Sequence, residues 1–203
     1  MLKQAYAPKQ QTGLWEARGR IIAVQGAGFN VEIRQSSACV MTPDERQIIA
    51  RIAKRAFVDY DTQYWGKFEW APADWQVFGM LEGVPVCHAK LTKRKATADD
   101  KQVTIIGMGG LKTDPDHQGR GFAGRLMSAI RDFIMKEGAD LGLLVCGANL
   151  VPFYEKCGWQ AFRGELLVQC HGQQLVWPER TMLLAMEPTG PLPNRIDLCG
   201  PPF

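Results

Sequence analysis

Residues Ile105 to Phe162 read IIGMGGLKTDPDHQGRGFAGRLMSAIRDFIMKEGADLGLLVCGANLVPFYEKCGWQAF, and the order of parts in this stretch decides the fold. Ile105 to Thr113 is an apolar, Gly-interrupted run of strand length. Asp114-Pro115-Asp116 stops it, because Pro115 donates no ladder hydrogen bond and biases Asp114 away from the helical region. Gln118-Gly119-Arg120-Gly121-Phe122-Ala123-Gly124 follows. After it Phe122, Leu126, Met127, Ile130, Phe133 and Ile134 recur at spacings of three and four, which predicts an amphipathic helix of about five turns.

A Gly-rich turn that opens a helix suits an anion. The N–H groups of the first turn lack partners inside the helix, and the macrodipole adds roughly half a positive charge there. Small residues let a pyrophosphate approach the backbone closely, and Arg120 and Arg125 add positive charge at the rim. No Gly-Lys-Ser/Thr follows, which excludes a P-loop, and the glycine spacing is not that of a dinucleotide-binding turn. A Gly-rich connection without a ligand is the alternative, and the sequence of strand, stop, glycines and helix argues against it.

Gln118-Gly119-Arg120-Gly121-Phe122-Ala123 resembles the Gln/Arg-x-x-Gly-x-Gly/Ala signature of the GNAT (Gcn5-related) N-acetyltransferases, with Ala in the last place. Downstream, Leu141 to Gly147 is a short apolar strand, Asn149 to Tyr154 opens a second helix, and Tyr154 to Trp159 fits the family's Tyr-x-x-x-Gly-aromatic pattern. The resemblance implies an α/β (α+β) fold: a central mixed, mostly antiparallel sheet, splayed at the signature strand and flanked by helices. It implies acetyl-CoA as cofactor, with the pyrophosphate on Gln118, Gly119, Arg120, Gly121, Phe122, Ala123 and Gly124. Backbone N–H groups of Leu111, Lys112 and Thr113 would hold the pantetheine arm and polarise the thioester carbonyl. Asn149 would either bond the pantetheine chain or cap its helix. Tyr154 is the implied general acid at the sulfur; taken alone, it is also a tyrosine that could pack on an amphipathic helix beside Phe153.

Composition sets wider bounds. The 203 residues make one domain, with room for an appendage and a sizeable core. A net charge of +3 is too small to argue for nucleic acid, and no apolar run approaches the roughly 20 residues that span a bilayer. Cys39, Cys87, Cys146, Cys157, Cys170 and Cys199 are scattered without a C-x-x-C, and His88, His117 and His171 do not cluster. Reduced thiols, a cytoplasmic protein and no metal are the expectation. A homodimer is compatible with the sequence, which does not decide the oligomer.

Residues 1–29 read as an N-terminal extension with little periodicity, although Leu14-Trp15 and Ile21 to Val24 could make a short hairpin. Residues 30–187 form the acetyltransferase domain, and 188–203 are a Pro-rich tail able to line the acceptor site. Inside the domain, Asn30 to Val40 is a first strand and Thr42-Pro43-Asp44-Glu45 starts a helix. Trp75 to Leu81 and Pro85 to Thr92 pair through a Glu82-Gly83 turn, and Lys93 to Lys101 is a polar connection. Gly164 to Val176 alternates weakly and Thr181 to Met186 is a late strand.

Within the family the chain is most similar to the aminoglycoside 2′-N-acetyltransferases. The similarity lies in the Asp/aromatic loop Asp59 to Trp65, the strand Val86 to Ala89, the segment Pro152 to Trp159, and the run from Asp197 to an aromatic Phe203. In those enzymes a terminal aromatic carboxylate lies in the acceptor pocket and can bind a cationic sugar. This implies a small-molecule amine acceptor, with Asp59, Asp61, Gly109, Gly110, Asp197 and Phe203 on the acceptor side. Asp59, Asp61, Glu69 and Asp74 would form either an acidic lip for a polycation or an ordinary solvated loop. One departure stands out: the place of the family's base glutamate falls at Gly109-Gly110. Cys146 and His88 are further candidates for proton or acyl chemistry, though each reads first as a core residue, and Glu82 reads as surface charge. A GNAT for a peptide or metabolite amine, and a non-catalytic acyl-CoA binder, remain the other readings.

Overall fold

The computed structural model describes residues 14–17, 20–24, 28–36, 41–58, 67–185 and 191–203. Its strands are β1 (Leu14–Ala17), β2 (Arg20–Val24), β3 (Phe29–Gln35), β4 (Trp75–Leu81), β5 (Val84–Ala98), β6 (Lys101–Thr113), β7 (Leu141–Cys146), β8 (Gln160–Phe162), β9 (Glu165–Cys170), β10 (Gln173–Val176), β11 (Arg180–Ala185) and β12 (Arg195–Asp197). Helix α1 is Pro43–Ala56, α2 is Phe122–Lys136 and α3 is Val151–Lys156. The strands form one sheet in the order β1-β2-β3-β4-β5-β6-β7-β11-β8, with β12 joining β5 to β9 and β10 hydrogen-bonded to β9. All pairings are antiparallel except β6 with β7 and β12 with β9. The mixed, mostly antiparallel sheet flanked by helices is the one expected.

Local chemistry explains the elements that position the site. α1 begins with a full capping box: Glu45 N–H donates to Thr42 Oγ1 at 3.1 Å, and Thr42 N–H donates to the Glu45 carboxylate at 2.9 Å. The β4–β5 turn puts Glu82 and Gly83 at φ 50° and 82°, the twist-matched geometry of a two-residue hairpin. All six periodic residues of α2 are buried against the sheet, each contributing roughly 1.5–3 kcal/mol. Its 15 residues make about four turns, one fewer than the periodicity predicted.

Beside α2 the sheet opens. The parallel β6–β7 ladder runs from Ile105 opposite Leu141 to Met108 opposite Leu144 and ends there. On the other side of β6, Gly109 faces Lys90 and Lys112 faces His88, so Gly110 and Leu111 together oppose Ala89. This is a β-bulge with Gly110 at φ 62°. A bulge bends its strand and resets the alternation of side chains, and here it carries β6 away from β7.

Several expectations are corrected. Among the described residues the sheet begins at Leu14: β1 and β2 form the short hairpin that the sequence allows, and β2 pairs with β3 from Arg20↔Arg34 to Val24↔Asn30. The polar stretch from Lys93 is not a connection, because β5 runs on to Ala98 and β6 starts at Lys101, turning through Asp99 and Asp100. The tail supplies β12, whose Ile196 is fully buried. Among the described residues no helix is long and apolar enough to cross a membrane.

Candidate active site

A cavity of about 1000 Å³ occupies the gap between β6 and β7. Leu111, Thr113, Gln118 and Ala123 line it from β6 and the start of α2, and Cys146, Asn149 and Tyr154 from the β7 side. Gly109, Gly110, Lys112, Lys90, Phe203 and the indoles of Trp70 and Trp177 line the far end.

The strand stop anchors the first wall. Asp114 Oδ1 accepts from Asp116 N–H at 3.2 Å, and Arg55 of α1 donates to Asp114 and Asp116 at 2.9, 2.8 and 2.7 Å. Gln118 Nε2 donates to Thr113 O at 3.3 Å, which folds the loop back on the strand end. Gly119 and Gly121 hold φ 73° and 80°, and a Cβ on either, or on Gly124, would meet nothing within 4 Å. Gly121 is the N-cap of α2 with no side-chain bond, and the first turn carries no acid. The first-turn N–H groups of Phe122, Ala123 and Gly124 thus have no side-chain cap and no neighbouring acid, the setting a diphosphate requires. The residues present fit the pyrophosphate and pantetheine of a coenzyme A. Phe122 has only its backbone to offer such a group, because its ring is buried and stacks on Phe29 at 4.8 Å.

Tyr154 is 5% exposed on α3, and its ring sits edge-on to Phe153 at 5.1 Å. Asn149 does not cap a helix: neither the 3-10 turn Ala148–Leu150 nor α3 has a side-chain cap bond. It is exposed on the cavity lining, where it is free to meet a pantetheine amide. Cys146 lines the cavity, yet burial pushes its thiol up to about 11, so it holds no thiolate at neutral pH.

At the far end, Gly107 and Gly109 make room for Phe203. A Cβ on Gly107 would collide with the Phe203 ring, and one on Gly109 would come within 2.7 Å of its carbonyl carbon. Arg94 lies over the same ring at 4.7 Å from its centroid and donates to Pro201 O at 2.8 Å. The main-chain carbonyl of Phe203 therefore stands at the place where the sequence resemblance expects a base and finds only glycine.

Lys112 and His88 were not foreseen as a pair. Lys112 Nζ lies 2.8 Å from His88 Nδ1 and 3.2 Å from Gly110 O, while His88 Nε2 lies 2.9 Å from Gln76 Oε1. Burial, with Lys90 and its charge nearby, lowers Lys112 to about 8. Burial, followed by Lys112 and Lys90, holds His88 well below its usual value, so the ring is neutral. No periodicity signals this pair, because the bulge alone brings Lys112 opposite His88.

Other expected residues do not meet here. Asp197 bonds Gln174 Nε2 and Cys199 N–H at 2.8 Å each, which spends its carboxylate on the β12 end, away from the cavity. Asp59 and Asp61 lie outside the described residues. Glu69 pairs with His171 at 3.3 Å and Asp74 accepts from Lys93 N–H at 2.8 Å, so these two hold loops together.

A family model described as "Acetyltransferase (GNAT) domain" matches residues 39–162, more than half of the chain. A comparison with curated proteins finds no match. Among solved structures, the chain is similar to a GNAT family N-acetyltransferase (YhbS) from Escherichia coli in complex with CoA, at 15% identity, 82% of this chain, 88% of that one and a TM-score of 0.54. It is similar to a GNAT family acetyltransferase from Brucella melitensis in complex with acetyl-CoA, at 17% identity, 80% and 92% coverage and a TM-score of 0.51. Escherichia coli ElaA is similar at 16% identity, 76% and 98% coverage and a TM-score of 0.52. At these identities the structures speak to the fold.

Proposed function

The chain belongs to the GNAT acetyltransferase family, and on that premise we propose that it moves acetyl from acetyl-CoA to a primary amine of a small acceptor. One observation carries the reading: the uncapped start of α2, the gap between β6 and β7, and Tyr154 all open onto a single cavity. Acetyl-CoA supplies an acetyl thioester when bound. Gln118 and the glycines after it bind the diphosphate through backbone N–H groups, and Leu111 to Thr113 offer strand N–H groups that β7 does not take. Tyr154 holds a proton for the departing sulfur. Phe203 presents its carbonyl oxygen to the acceptor's N–H groups from the Gly107-Gly109 notch.

The acceptor end supports a ring-shaped, hydroxylated cationic amine, an aminoglycoside in the reading that follows from the sequence resemblance. Trp70, Trp177 and Glu179 give it an aromatic wall and an acid, and the Trp177 indole N–H has no partner among the described residues. A second reading, a metabolite amine that carries its own anionic group, is favoured by Lys90. This lysine is exposed on the lining with no partner among the described residues.

The test is product identification. The protein is incubated with acetyl-CoA and kanamycin, spermidine, L-lysine or a short peptide, and each acceptor is weighed by mass spectrometry. Gain of one acetyl group on any of them supports the reading, and the acceptor chosen separates the two versions. No acetylated product, with acetyl-CoA binding intact, overturns it in favour of a binding module.

A further inference from the structure

Resting on the acetyltransferase reading above, we propose that Lys112, seated on His88, which Gln76 holds in turn, is the proton acceptor that makes the substrate amine nucleophilic. The carboxylate expected at Gly109-Gly110 is absent, and the Lys112 side chain curls back over Gly110. Its Nζ lies 3.2 Å from Gly110 O and 3.9 Å from where a Gly110 Cβ would stand. Lys112 is 8% exposed and lies on the cavity lining.

The partners of Lys112 mark it as more than a structural lysine. A buried ammonium held for stability is paired with a carboxylate, because an unpaired buried charge is strongly disfavoured. Among the described residues Lys112 has only neutral acceptors, the Gly110 carbonyl and His88. His88 Nε2–H donating to Gln76 Oε1 leaves Nδ1 as an acceptor facing Nζ. That arrangement keeps the amine in one place whether it is charged or neutral.

The charged and titratable neighbours among the described residues are few. β5 supplies His88 and Lys90. On β6, Asp114 is held by Arg55 and, at 3.9 Å, by Arg51. Among the described residues, α1 and the Phe57 that ends it offer the cavity only Ala53, Ala56 and Phe57, and the opposite wall offers Cys146, Tyr154 and Glu179. Lys112 titrates near 8 in this setting, close to the working pH that a general base needs. In the step, an N–H bond of the substrate ammonium breaks and its proton bonds to neutral Lys112 Nζ. The electron pair stays on the substrate nitrogen. Lys112 then returns the proton to water through the open cavity.

Two measurements decide the matter, one of them independent of turnover. Trace labelling of wild-type lysines with acetic anhydride, read by peptide mass spectrometry across pH, should show Lys112 half-reactive near pH 8, against roughly 10.4 for ordinary lysines. Half-reactivity at the ordinary lysine value overturns the proposal without any variant. The pH profile of kcat/KM, on the best acceptor of kanamycin, spermidine, L-lysine and a peptide amine, should rise through the same point. Lys112→Met should lower kcat at least about tenfold, abolish that limb and leave the calorimetric Kd for CoA unchanged. Lys112→Arg, which keeps the charge but cannot deprotonate, should not rescue. Rescue by arginine, or an unmoved limb in Lys112→Met, refutes the role while leaving the acetyltransferase intact. A wild type that binds acetyl-CoA and acetylates nothing overturns both.

Discussion

The main-chain carbonyl of Phe203 rests against Gly109, so close that a Cβ there would stand 2.7 Å from the carbonyl carbon. The ring of the same residue fills the space over Gly107. Two strand glycines thus receive a residue from the far end of the chain, and Gly109→Ala must either expel it or bend β6. Overpacking of this kind costs about 1–3 kcal/mol. Thermal denaturation should show a clear loss of Tm, and turnover should fall while CoA affinity holds. An unchanged Tm and full turnover would mean the notch is not occupied as described.

Tyr154 lines the same cavity as that notch. Tyr154→Phe removes one hydroxyl from a buried ring and leaves its packing on Phe153. If the hydroxyl protonates the leaving sulfur, kcat should drop by about 10²–10⁴, the usual worth of a positioned acid. CoA binding by calorimetry should not move. A kcat equal to wild type would leave Tyr154 as a packing residue.

Gly121 caps α2 without a side-chain acceptor. Gly121→Asp would place a carboxylate beside the orphan N–H groups, an internal anion competing with the diphosphate. The calorimetric Kd for CoA should rise at least about tenfold, or 1.4 kcal/mol. An unchanged Kd would move the diphosphate elsewhere.

Lys112 also makes stability depend on pH. Its folded value is lowered to about 8 from 10.5, so between those values the unfolded chain binds more protons than the folded one. Stability from this group therefore rises as pH climbs from about 8 towards 10.5 and is absent below 8. The full increment is at most about 3 kcal/mol. In urea titrations the wild type should gain stability relative to Lys112→Met, by up to that increment, as pH rises through this window, because methionine carries no proton to lose. Parallel curves would place Lys112 in water.

The sequence made the cofactor half legible because its signals are local. Pro115 stops a strand, Gly119 and Gly121 turn it, and the 3.6-residue period of α2 begins at once. The acceptor half is assembled from contacts far apart in the chain. Phe203 reaches Gly107 and Gly109, and Lys112 meets His88 only because the bulge at Gly110-Leu111 shifts the alternation by one. Lys93 to Ala98 reads as a loop from its charges, and tertiary pairing overrides that preference by laddering it against Lys101 to Ile106. β12 is three residues long, too short for any period to show.

The most direct measurement of the central claim is acetyl-CoA turnover, followed as thiol release, for wild type and Tyr154→Phe on kanamycin, spermidine, L-lysine and a peptide amine. The wild type should release thiol only when an amine is present, and Tyr154→Phe should lose about 10²–10⁴-fold of that rate. Acetyl-CoA binding with no amine-dependent release on any acceptor would contradict the claim.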